Sequence, residues 1–110
     1  MPDGEDDPRW DALVAAVLRV AAVQERRSRF ADKPALWLDG REIAHLEAPG
    51  IIDLRITQAG WSAVKEDFRA DPAVRRDSSR RDWLELHVRS AADVERLSPL
   101  LAAAITANRR

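Results

Sequence analysis

The sequence predicts an α+β domain, an antiparallel meander sheet with N-terminal, middle and C-terminal helices packed mainly on one face. Three observations carry this. Apolar residues recur at helical spacing in three separated segments. Between the first two lie three short β-type runs, split by the turn signals Asp39-Gly40 and Ala48-Pro49-Gly50. Strands joined by short turns pair antiparallel, and helices then cover one face of the sheet.

The first seven residues are acidic and turn-forming, and read as a frayed N-terminus ahead of a single domain over residues 8–110. Asp7 is placed to cap a helix with Pro8 at its first position. Trp10, Leu13, Val14, Val17 and Ala21 follow at helical spacing, which predicts a helix to about Gln24. Leu18, Val20 and Val23 spread its apolar surface around most of the circumference, so self-association as a two-fold dimer is expected, through this helix or the outer sheet face.

Residues 35–38, 42–47 and 51–56 are the three strands, with an extra one expected over residues 27–31. Thr57 caps a second helix over residues 58–69, with Trp61, Val64 and Phe68 on its inner face, ended by Asp71-Pro72. A short strand is expected at residues 74–76. Residues 82–89 alternate strictly, Leu84, Leu86 and Val88 against Trp83, Glu85 and His87. Ser90 and Asp93 match a capping box that opens the last helix, with Val94, Leu97, Leu101 and Ile105 inward and a kink or restart near Ser98 because of Pro99.

Register parity assigns the sheet faces. Pairing Glu47 with Ile51 gathers Ala44, Leu46, Ile52, Leu54 and Ile56 on one apolar face. A three-residue bulged loop at Gly40 keeps Leu36 and Leu38 with them. The other face then carries Trp37, Ile43, His45, Asp53 and Arg55, joined by Trp83, Glu85 and His87. That face is the candidate ligand-binding surface, with Trp37, His45, Arg55, Trp83, Glu85 and His87 as its contacts. His45 falls directly across from Asp53, and a carboxylate that orients an imidazole is the core of a general base. These two are the candidate catalytic residues of the alternative reading, a small enzyme.

Composition excludes several classes. The 110 residues contain no cysteine, which removes disulfides, thiolate nucleophiles and Cys-based zinc sites. His45 and His87 with Asp53 and Glu85 form no recognised ligand spacing, so no metal is expected, and no phosphate loop or dinucleotide fingerprint calls for a cofactor. The Ala-rich run over residues 12–23 is too short to span a bilayer and follows acidic residues, so no membrane association and a cytoplasmic location are expected. Beyond residue 7 the chain has 18 basic and 15 acidic residues. Nucleic-acid binding through Arg75, Arg76, Arg80 and Arg81 is a further alternative, disfavoured by the interleaved Asp71, Asp77 and Asp82. A small-molecule ligand or a protein partner is the leading expectation.

The stretches PALWLDGREIAHL (residues 34–46) and GIIDLRIT (residues 50–57), with DWLEL (82–86) and SAADV (90–94), resemble a family of small bacterial proteins called luciferase-domain or luciferase-family proteins. The likeness covers about residues 20–108 and is most specific around Gly40, Glu42, Ala44 and His45. Ile43, where members carry an aromatic residue, and Pro99 depart from the pattern. The resemblance implies the α+β fold and little chemistry: no catalytic residue is carried over, and a flavin-dependent luciferase needs a barrel of about 250 residues.

Overall fold

In a computed structural model that describes residues 7–109, the elements run α1 (Pro8–Leu18), β1 (Gln24–Arg27), β2 (Pro34–Leu38), β3 (Arg41–Ala48), β4 (Ile51–Arg55), α2 (Thr57–Phe68), β5 (Val74–Arg76), β6 (Trp83–His87), α3 (Ala91–Arg96) and α4 (Ser98–Asn108). The six strands form one antiparallel sheet in the order β1-β2-β3-β4-β6-β5. The fold is α+β, with the helices and one sheet face sharing a single apolar core. Among the described residues no helix is long and apolar enough to cross a membrane.

The core is built from the residues that the apolar spacing selects. Trp10, Leu13 and Val17 of α1, Trp61 and Phe68 of α2, Val94 of α3, Leu97 between α3 and α4, and Leu101 and Ile105 of α4 are buried. They lie in one cluster with Leu36, Leu46, Ile52, Leu54, Leu84, Leu86 and Val88 of the sheet face. The restart at Ser98 is observed, with Pro99 in the first turn of α4, where its missing N–H costs nothing.

Several details differ from the sequence expectation. The first helix stops at Leu18, not near Gln24, because residues 24–27 pair with β2 as its edge strand and Glu25 accepts from the Trp10 indole N–H (2.9 Å). An Ala-rich run without Gly or Pro carries no local stop signal, so tertiary pairing decides the boundary. Leu18 and Val20 are exposed, whereas Val23 packs partly against the core. The extra strand expected over residues 27–31 is found earlier, at 24–27, and residues 28–33 form a loop closed by the Ser28 N–H donating to the Lys33 carbonyl (2.8 Å).

Asp7 belongs to the structured domain rather than to a frayed end; residues 1–6 lie outside the described residues. Its carboxylate is buried, caps α1 by accepting from the Arg9 N–H (2.9 Å), and accepts from the Gly50 N–H (2.9 Å) in the β3–β4 turn. Gly50 has φ +74, and a Cβ there would sit 2.8 Å from the Val88 carbonyl, so glycine is required. The expected capping box at Ser90 does not form: Ser90 makes no side-chain cap, and Asp93 accepts from the Arg89 N–H (2.9 Å) instead.

The largest correction concerns the β2–β3 hairpin. The turn is a tight two-residue one, with Asp39 (φ 53) and Gly40 (φ 78) both left-handed and Leu38 paired with Arg41. Parity is restored further along. Trp37 pairs with Glu42 and Leu36 with Ala44, which leaves Ile43 as the extra residue of a β-bulge. Ile43 is therefore buried in the core instead of lying on the outer face. A second irregularity pairs Ala48, not Glu47, with Ile51 and leaves Glu47 as the odd residue.

Candidate functional site

The bulge at Ile43 builds the site. In a regular strand residues 42 and 45 point to opposite faces; one inserted residue puts both on the outer face. Glu42 Oε2 there lies 2.9 Å from His45 Nδ1. On the other side of the ring, His45 Nε2 lies 2.9 Å from Asp53 Oδ2, in the register His45↔Asp53 that parity predicts. Glu47 Oε1 stands 3.3 Å from the same nitrogen. Glu42, His45 and Asp53 are respectively 3%, 5% and 1% exposed, so three ionisable groups are buried on a face that a simple amphipathic sheet would leave to water.

What covers them is the β1–β2 loop and the turn before β6. The loop is fixed by Glu42, which accepts from the Ser28 hydroxyl (2.7 Å) and the Arg29 N–H (2.7 Å). Held this way, Phe30 stands 6.0 Å from both the His45 and Trp83 rings, edge-on to Trp83, and the His45 and Trp83 centroids are 5.4 Å apart. From the other side Arg80 donates to Asp53 Oδ2 (3.2 Å), its guanidinium 5.6 Å from the Trp83 ring centroid. These groups line a cavity of ≈ 400 Å³ bounded by Phe30, His45, Glu47, Asp53, Arg80, Trp83 and Glu85.

The electrostatics follow from this packing. Burial disfavours the charged form of His45, but hydrogen bonds and charges from Asp53 and Glu42 outweigh it and raise the imidazole above its ordinary value. Burial likewise opposes ionisation of Asp53, yet His45 and Arg80 together hold its carboxyl below the usual range. Asp53 Oδ1 is buried and has no hydrogen-bond partner among the described residues. Both ring nitrogens of His45 face carboxylates, so neither is free to take a proton from a substrate while that arrangement holds.

Of the sequence-selected residues, His45, Asp53, Trp83 and Glu85 meet at this cavity. The other three are placed elsewhere. The Trp37 indole N–H donates to the Arg27 carbonyl (3.1 Å). Arg55 pairs with Asp82 (3.5 Å) and with the buried Asn108, whose amide donates back to the Arg55 carbonyl (2.7 Å). His87 faces Glu85 (2.7 Å) and lines a separate cavity with Arg75 and Arg89.

Sequence reading does not place Glu42, Glu47, Phe30 or Arg80 at this site; it singles out Arg80 only as a nucleic-acid contact and Glu42 only within the family resemblance. For Glu42 a signal existed: strict alternation places it on the apolar side of β3, and a buried carboxylate demands a partner. Phe30 and Arg80 sit in loops, where no periodicity reports which face they cover.

A second cavity of ≈ 380 Å³ lies between α2 and α4, lined mostly by alanines with Gly60, Val64, Pro99 and Thr106. It offers one hydroxyl and no ionisable group. Comparisons with protein-family models, curated proteins and solved structures give no match. The likeness to luciferase-domain proteins thus rests on the residues quoted for it, and the functional reading rests on the geometry of the site.

Proposed function

We propose that this chain is a small-ligand-binding domain whose recognition site is the outer-face cavity over His45. The observation that carries this reading is the buried Glu42–His45–Asp53 array on the floor of a concave space with aromatic walls. Burying three ionisable groups costs desolvation, and an apolar packing of the same volume would be at least as stable. A cavity with aromatic walls and a few convergent polar groups is the usual form of a small-molecule site. Phe30 and Trp83 supply flat apolar contact, whereas His45, Glu47, Arg80 and Glu85 supply orienting charge. The α2–α4 groove has the volume but lacks the polar groups that would orient a ligand.

Binding is favoured over general-base catalysis because Asp53 occupies the ring nitrogen that a base would present to substrate. A chemical-shift titration with small aromatic and acidic molecules tests the reading. Saturable shifts should cluster at Phe30, His45, Trp83 and Glu85. Shifts confined to the helices would overturn it.

A further inference from the structure

The site just described has a feature that an organic ligand alone does not explain. His45 Nε2, a Glu47 oxygen and an Asp53 oxygen lie within 4.8 Å of one another, one donor from each residue. Nε2 is 2.9 Å from Asp53 Oδ2 and 3.3 Å from Glu47 Oε1. Two donors each about 2.1 Å from a zinc-sized ion, at octahedral or tetrahedral angles, stand about 3.0–3.4 Å apart. The imidazole nitrogen is therefore already close to the separation from each carboxylate oxygen that a shared ion needs.

Three further observations bear on the same point. Glu42 Oε2 sits 2.9 Å from the opposite ring nitrogen. By accepting the hydrogen bond from Nδ1–H, Glu42 holds the ring so that Nε2, which here donates to Asp53, is the nitrogen that would exchange its proton for an ion, the carboxylate–histidine relay that orients metal-binding imidazoles. Glu42 is itself clamped by Ser28 and Arg29, so the ring is held from behind. Asp53 is 1% exposed and its Oδ1 has no hydrogen-bond partner among the described residues, an uncompensated acceptor on the carboxylate whose Oδ2 faces His45. Finally, Glu42, Glu47, Asp53 and Glu85 set four carboxylates around His45 against two basic side chains, Arg80 on Asp53 and Lys33 3.8 Å from Glu47 Oε2, so acidic groups outnumber basic ones at the site. Arg80 is 42% exposed and able to move off Asp53 toward solvent.

Resting on the binding reading above, we propose that His45, Glu47 and Asp53 bind a divalent first-row transition-metal ion, with Glu42 as the positioning residue for His45. An imidazole with two carboxylates suits zinc, cobalt, iron or manganese. Three protein ligands leave coordination positions open toward the cavity between Phe30 and Trp83, where a small molecule can complete the shell. The sequence hides this set because the ligands come at i, i+2 and i+8 across a hairpin and because Glu42 reaches the ring only through the bulge.

The test is calorimetric titration of the full chain with zinc(II), and with cobalt(II) followed by its visible absorption. One ion per chain should bind, and cobalt should give a d–d spectrum with mixed nitrogen and oxygen ligation. Glu47 is half-exposed, so Glu47→Gln should fold as the wild type does and weaken binding about tenfold or more. Glu42→Gln should weaken it about 10–100-fold through the lost support of His45. Glu66→Gln, a surface change in the Glu66–Arg69 pair, should leave it unchanged. Absence of saturable binding of either ion, or Glu47→Gln binding as tightly as the wild type with the same cobalt spectrum, would overturn the inference. If the metal arm fails while aromatic molecules still shift Phe30 and Trp83, only this inference falls; if both arms fail, the ligand-binding reading falls with it.

Discussion

Replacing Asp7 with alanine should cost the domain about 2–4 kcal/mol. The magnitude follows from what the carboxylate does. It caps α1 through the Arg9 N–H, a loss of about 1 kcal/mol on truncation. Its other oxygen is the partner of the Gly50 N–H, and stranding a buried donor costs about 1–3 kcal/mol. The ion pair with Arg9 adds little, because that guanidinium is one-third exposed. At about 4 °C per kcal/mol for a chain of this length, Tm should drop about 8–16 °C. The consequence reaches the site, since Gly50 lies in the turn of the β3–β4 hairpin that carries both His45 and Asp53.

The effect should depend on pH with a definite sign. Burial pushes the Asp7 carboxyl up, but hydrogen bonds from the Arg9 side chain, the Gly50 N–H and the Arg9 N–H outweigh burial and hold it below 3.8. A depressed carboxylate contributes stability that is complete above its unfolded value and is lost as pH falls through the folded one. The gap between wild type and Asp7→Ala should accordingly be constant from neutrality down to the unfolded carboxylate range and narrow in stronger acid. Urea denaturation at stepped pH measures it. A cost below 1 kcal/mol at neutral pH, or a gap that does not narrow in acid, would refute the reasoning.

Ile43→Ala should cost about 2–5 kcal/mol in urea denaturation, as for a core residue, whereas a side chain on a solvated face would move stability by no more than about 0.5 kcal/mol. Glu42→Ala strands His45, the Ser28 hydroxyl and the Arg29 N–H together; it should destabilise by about 3–5 kcal/mol and speed hydrogen exchange at the Arg29 amide. Thr57 holds φ +66, a costly conformation for a β-branched residue, while its hydroxyl accepts from the Gly60 N–H (3.1 Å). Thr57→Asn keeps an acceptor and tolerates that backbone, so thermal denaturation should show a gain of about 1 kcal/mol. At Gly60 a Cβ would meet Ile56 Cγ1 at 3.0 Å and both the Ala103 carbonyl and Ala107 Cβ at 3.3 Å, so Gly60→Ala should lower stability by about 1–3 kcal/mol by the same measurement.

Much of the fold was legible because the period-2 and helical patterns are clean. The alternation from Trp83 to His87 assigns both faces of β6, and the observed pairs Asp53↔Glu85 and Arg55↔Trp83 put those residues on one surface, as parity requires. His45↔Asp53 was legible for the same reason. Parity arguments fail where one residue is inserted. The Asp39-Gly40 pair announces a turn but not whether the compensating residue sits in the turn or further along the strand, so Ile43 and Glu42 were read without their true faces. The end of α1 was illegible because alanine and valine carry no stop signal there, and only pairing of residues 24–27 with β2 ends it. Phe30 and Arg80 reach the site from loops held by tertiary contacts, Glu42 to the Arg29 amide and Asp53 to the Arg80 guanidinium, which no local pattern encodes.

A crystal structure soaked with a panel of small aromatic acids and amines tests the central claim most directly. Density for a bound molecule is predicted between Phe30 and Trp83, above His45 and within hydrogen-bond reach of Arg80, Glu47 or Glu85. Ligand density only in the apolar groove between α2 and α4, with the cavity over His45 holding solvent alone, would contradict it.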